Sequence, residues 1–131
     1  MIVRLPWPPS VNHYWHKSRL GGFHISAAGQ AFRRDVFYTV RGYGLPADWP
    51  SGRLSVAISA FPPDRRARDL DNILKALLDA LQHGGAIRDD ADIDRLVVER
   101  GEADPEKQGY VMVNVCSLDT EPAIRLAPEA K

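Results

Sequence analysis

Cysteine is almost missing from this chain of 131 residues: Cys116 stands alone, so no internal disulfide can form and a secreted disulfide scaffold is excluded. Long apolar runs are missing too. None approaches the ~18 residues of a membrane span, and the opening MIVRLPWPPS has prolines where a signal peptide needs an apolar stretch. No membrane partner is expected, and a cytoplasmic location is. There is no GxxxxGK[ST] phosphate loop, no HExxH and no Cys/His spacing suited to zinc. Asp90, Asp92 and Asp94 open like a calcium loop, but Arg95 and Gly101 stand where an EF-hand needs Gly and Glu. No nucleophile-elbow motif supports a Ser/His/Asp triad.

Net charge is also zero, with 17 basic and 17 acidic side chains. The balance hides an asymmetry. Residues 1–47 carry Arg4, Lys17, Arg19, Arg33, Arg34 and Arg41 against Asp35 alone, whereas residues 84–131 hold six basic and eleven acidic side chains. A basic surface masked by a neutral total is one reading, and a solvated imbalance is the other.

A length of 131 residues suits one domain. IVRLP reads as a strand stopped by prolines, RLSVAISAF (Arg53–Phe61) as an alternating strand, and YVMVNVC as the last one, with a further strand near Leu96–Arg100. Ser26 is placed to cap a helix through about Arg41, with Gly42 and Gly44 as stop signals. SVNHYWHKSRLGGFHIS reads as a polar loop whose Tyr14, Trp15 and Phe23 either stack on bases or anchor the loop. The expectation is an α+β fold: a single small domain over residues 1–118, one mixed β-sheet with two main helices packed largely on one face. Residues 119–131 form a tail without clear periodicity.

The densest chemistry lies in RDLDNILKALLDAL, residues 68–81. Leu70, Ile73, Leu74, Leu77, Leu78 and Leu81 form one helical stripe, which leaves Asp71, Asn72, Lys75, Asp79 and Gln82 on the opposite side. Asp69 stands at the helix entrance, Arg65, Arg66 and Arg68 lie just upstream, and Asp89, Asp90 and Asp92 follow the stop at Gly84–Gly85. Asp in a first turn is also an ordinary cap, and Asp71 with Lys75 an ordinary ion pair. Clustered, however, Asp69, Asp71 and Asp90 would repel by about 4 kcal/mol per pair at ~4 Å and an effective dielectric near ~20. They would then need a shared proton or a cation. Oxygen ligands beside arginines favour Mg²⁺, with Mn²⁺ as substitute, shared with a phosphate. Lys75 would orient water or neutralise developing charge, so the reaction class is metal-assisted phosphodiester hydrolysis.

LPWPPSVNHYW at 5–15, HISAAGQAFR at 24–33, PDRRARDLDNILKALLDAL at 63–81 and DDADI at 89–93 together resemble the RusA family of Holliday junction resolvases. The resemblance implies a Mg²⁺-dependent endodeoxyribonuclease, bacterial or prophage-encoded, acting as a homodimer on branched double-stranded DNA. It implies Asp69, Asp71 and Asp90 as metal ligands, with Asp89 or Asp92 as alternatives for the third. Lys75 would be the essential lysine and Arg68 a phosphate contact, with Asn12 near the site. Lys17 and Arg19 of the N-terminal loop and Arg66 of the arginine turn complete the candidate DNA contacts. The alternative function is a non-catalytic, structure-specific DNA-binding protein of the same fold, with the carboxylates serving only as caps.

Overall fold

Three strands bury every second side chain, and those side chains form the floor of the core. The computed structural model describes residues 1–49 and 52–118. In β1 (Ile2–Pro6) the inward pair is Val3 and Leu5; in β4 (Leu54–Phe61) the inward set is Leu54, Val56, Ile58 and Ala60. In β6 (Tyr110–Ser117) it is Val111, Val113 and Val115. Alternation of this kind is what a sheet covered mainly on one face requires. With β5 spanning Ile93–Arg100, the sheet order is β1-β6-β4-β5, and β6 is antiparallel to both β1 and β4. β5 (Ile93–Arg100) runs parallel to β4, with Ile93 opposite Leu54 and Arg100 opposite Ala60. The expected mixed α+β sheet is therefore present.

Helix α2 (Ala27–Tyr43) starts where the Ser26 hydroxyl accepts the Gly29 N–H at 3.0 Å. It buries Phe32, Val36 and Val40. It passes through Gly42 and stops only at Gly44, whose φ of 77° is the left-handed cap conformation. The predicted end near Arg41 was thus two residues early, because Gly42 is tolerated inside a helix while Gly44 ends it.

The single helix expected from Leu70 is in fact two pieces: a 3₁₀ turn, Leu70–Ile73, followed by α3 (Leu74–His83). Asn72 N–H bonds Asp69 C=O at 3.2 Å, the tighter i→i+3 closure common at helix starts. The predicted stripe holds. Ile73, Leu77 and Leu81 are buried together with Ala76 and Ala80, while Leu70, Leu74 and Leu78 pack partly against the core.

The largest departure is in the N-terminal polar segment, which is ordered. Val11–Tyr14 form a one-turn helix, α1, followed by a hairpin of β2 (Trp15–Lys17) and β3 (Phe23–Ile25). Gly21 and Gly22, both at positive φ, make its turn. Tyr14 is fully buried, and a Cβ on Gly29 would stand 2.9 Å from its ring, so only glycine fits at that crossing. The tail from Asp119 to Lys131 lies outside the described residues.

Candidate functional site

The segment leaving β4 is built around Asp64. Its carboxylate accepts from Arg68 Nη1 at 2.6 Å and from the Arg66 backbone N–H at 2.9 Å, and Arg66 Nε lies 3.4 Å away. The Arg68 hydrogen bond, then that of the Arg66 backbone, holds the Asp64 carboxyl well below the usual carboxylate range. Arg100, at the end of β5, donates to Arg68 C=O at 2.6 Å and clamps this turn to the sheet. Arg68 is therefore committed to Asp64 in this structure, while Arg65 and Arg66 remain exposed at the rim.

Directly after this turn stand Asp69 and Asp71, with Lys75 one helical turn further on; all three are exposed. Asp69 occupies the cap position of the 3₁₀ turn, yet its side chain makes no capping hydrogen bond. Among the described residues no ion pair joins Asp71 to Lys75. Neither ordinary role that the sequence allowed these carboxylates, cap or ion pair, is taken up.

Asp90 is elsewhere. Because β4 and β5 are parallel, the chain leaves one end of β4 at Phe61 and must enter β5 at the other. The register from Leu54 to Ala60 spans roughly 20 Å at the usual strand rise. Asp69 and Asp71 lie beyond the far end, and Asp90 precedes Ile93 at the near end, where its N–H meets Gln82 Oε1 at 3.3 Å. Among the described residues no three His, Cys, Asp or Glu side chains converge to hold a metal. Asp69 and Asp71 thus stand two residues apart at the helix start, and Asp90 stands at the opposite end of the β4–β5 register. Of the alternative third ligands, Asp89 caps Ala91 N–H at 2.9 Å and Asp92 faces Arg88 at 3.6 Å, whereas the Asp90 side chain has no partner among the described residues.

Asn12 is exposed on α1, and Lys17 and Arg19 lie on the hairpin. Sequence reasoning missed what ties this arm to α3: the buried Tyr14 hydroxyl donates to Asp79, which also faces Arg33 of α2 at 3.4 Å. Burial, then the bond to Asp79, pushes the Tyr14 phenol above the ordinary tyrosine range. Asp79 looked like an outer-face carboxylate, and no local signal marks its partner 65 positions away.

A mixed α+β domain presents unpaired carboxylates at a helix start beside an arginine turn. The family comparison narrows this: the model described as Endodeoxyribonuclease RusA matches residues 6–115, and the chain belongs to that family. It is 45% identical over 97 residues to the crossover junction endodeoxyribonuclease rusA of Enterobacteria phage HK97, covering 74% of this chain and 79% of the relative. With the protein of the same name from Enterobacteria phage 82 it shares 44% over 91 residues, 70% of this chain and 74% of the relative. With that of Escherichia coli K12 it shares 40% over 97 residues, with the same coverages of 70% and 74%.

Proposed function

We propose that this protein is a crossover junction endodeoxyribonuclease that hydrolyses phosphodiesters in branched double-stranded DNA, with Asp69, Asp71, Asp90 and Lys75 as its working groups. The observation that carries the reading is the set of exposed carboxylates that neither cap nor pair, set beside Lys75 and the arginine turn in a chain of this family. Unengaged oxygen donors fit Mg²⁺, with Mn²⁺ as substitute, better than a softer ion. When bound, such an ion supplies a lowered water pKa and neutralises charge on the phosphate. Asp69 and Asp71 would hold it at the helix start. The Lys75 ammonium would face the attacked phosphate and offset negative charge as it develops. Arg65 and Arg66 would seat neighbouring phosphates, with Asn12, Lys17 and Arg19 holding the DNA on the other side, and Arg68 would do so by exchanging Asp64 for a phosphate.

Asp90, at the other end of the β4–β5 register, would join such a site across a dimer. In a two-fold homodimer, where residue i of one copy meets j of the other, j also meets i, so an interface that brings Asp90 of one copy to Asp69 and Asp71 of the other would complete both sites. A dimer with two such sites also matches symmetric cutting of a four-way junction.

The test is a cleavage gel on a synthetic four-way junction beside a linear duplex of matched sequence. Paired nicks on the junction alone, lost with EDTA and in Asp71→Asn, support the reading. Tight binding without a nick under Mg²⁺ and Mn²⁺ alike would leave only a DNA-binding module. The composite site has its own test. Mixing inactive Asp71→Asn with inactive Asp90→Asn protein restores single-strand nicking, because one site of each mixed dimer is intact. If each chain held its whole site, the mixture would stay inactive.

A further inference from the structure

The N-terminal arm holds a second feature, separate from the carboxylates. Val11 and Asn12 of α1, Trp15 of β2 and Phe23 of β3 wall an open cleft of about 450 Å³, within the ~300–1,000 Å³ range of ligand sites. One wall is fixed: Trp15 packs edge-on against buried Tyr14, with centroids 5.2 Å apart and planes at 88°. The other wall, Phe23, is 71% exposed, and Leu20 at the hairpin tip is 99% exposed. Phe23 and Leu20 together leave the hairpin tip apolar, a surface that an occupant of the cleft would cover.

Charge identifies that occupant. The first acidic residue of the chain is Asp35, so nothing on this arm repels a polyanion. Lys17 stands opposite Phe23 in the hairpin register, which puts the ammonium stem and the ring on the same face of the ribbon. The Asn12 carboxamide at the cleft can both donate and accept, as reading a base edge requires. A cation beside an aromatic wall suits a nucleotide, with the phosphate on Lys17 and the base on the ring. Bases inside a duplex are stacked on their neighbours and cannot enter. Bases at a branch point give up less to leave the stack.

We infer that the cleft between α1 and the β2–β3 hairpin receives a nucleobase unstacked at the branch point, held between Trp15 and Phe23. The inference rests on the junction reading above and adds to it the part of the junction this arm holds. Phe23 and Trp15 act on binding and on junction selectivity, not on hydrolysis.

The experiment uses full-length protein carrying Asp71→Asn, so that DNA stays uncut, and junctions bearing 5-iododeoxyuridine either at the branch point or in the middle of an arm. Ultraviolet irradiation should cross-link the branch-point probe to the peptide holding Trp15 or Phe23, and the mid-arm probe to neither. Phe23→Ala should weaken junction binding about tenfold, equivalent to ~1.4 kcal/mol, leave duplex binding unchanged, and be rescued by Phe23→Tyr. Equal junction affinity for Phe23→Ala, or equal cross-linking from both probe positions, overturns the inference. The parent protein separates the two readings. If it resolves junctions and the Phe23→Ala change does not alter binding, only the cleft assignment falls; if it shows no preference for junction over duplex, the function falls with it.

Discussion

Two groups of carboxylates in this small domain have opposite surroundings. Asp64, Asp79 and Asp104 are each engaged: by Arg68 and the Arg66 backbone, by Tyr14 and Arg33, and by the backbone N–H groups of Glu106, Gln108 and Gly109. Asp69, Asp71 and Asp90 sit at equally regular positions, at helix starts and turns, and their side chains bond to nothing among the described residues. Two members of the first group hold the elements on which Asp69, Asp71 and Lys75 stand. Asp64 sets the turn before Asp69, and Asp79 ties α3, which carries Lys75, to the N-terminal arm. Folding thus engages the first three aspartates and leaves the second three without side-chain partners among the described residues.

The contrast can be broken most sharply at Asp71. Asp71→Asn should lower junction cleavage by roughly 10²–10³, while its thermal unfolding stays within about 0.5 kcal/mol of the parent, as for an unpartnered surface change. A matched fall in melting temperature would move Asp71 into the structural group. Tyr14→Phe should do the reverse. Removing the donor to Asp79 should cost about 1–2 kcal/mol in denaturant unfolding, with cleavage per folded molecule falling far less than in Asp71→Asn. Acid sharpens the comparison further. Three backbone N–H bonds, that of Glu106 foremost, hold the Asp104 carboxyl below its ordinary range. Its contribution is therefore present above the unfolded carboxylate pKa of ~3.9 and lost as pH falls below it. Denaturant melts from pH 6 to pH 2 should show this loss, and Asp104→Asn should reduce it, leaving the part due to Asp64. The smallest effect belongs to Ser26→Ala, which removes the α2 cap bond at a cost of about 1 kcal/mol and should leave junction selectivity unchanged.

Much of this was legible locally. The leucine stripe of α3, the Ser26 cap, the alternation of β4 and β6 and the RDLDN…K…DD spacing all follow from side-chain period and chemistry within a few residues. Those same rules ended the helix near Arg41, two residues before its last residue Tyr43, and treated residues 10–26 as an irregular loop. A one-turn helix and three-residue strands are too short to show a period, and what orders them is the burial of Tyr14 against Gly29 and its bond to Asp79, all made at a distance.

The amino-acid sequence by itself determined the family, the acidic and basic residue set, and the helix on which Asp71 and Lys75 lie one turn apart, because these depend on residue identity and local spacing. The tertiary structure alone decided which of those residues meet. Pairing β5 parallel to β4 sends the chain back along the full length of that register, so Asp90 stands at the opposite end of it from Asp69 and Asp71. Strand direction is set by long-range pairing and the packing of α3 across the sheet, and no short stretch of sequence encodes it.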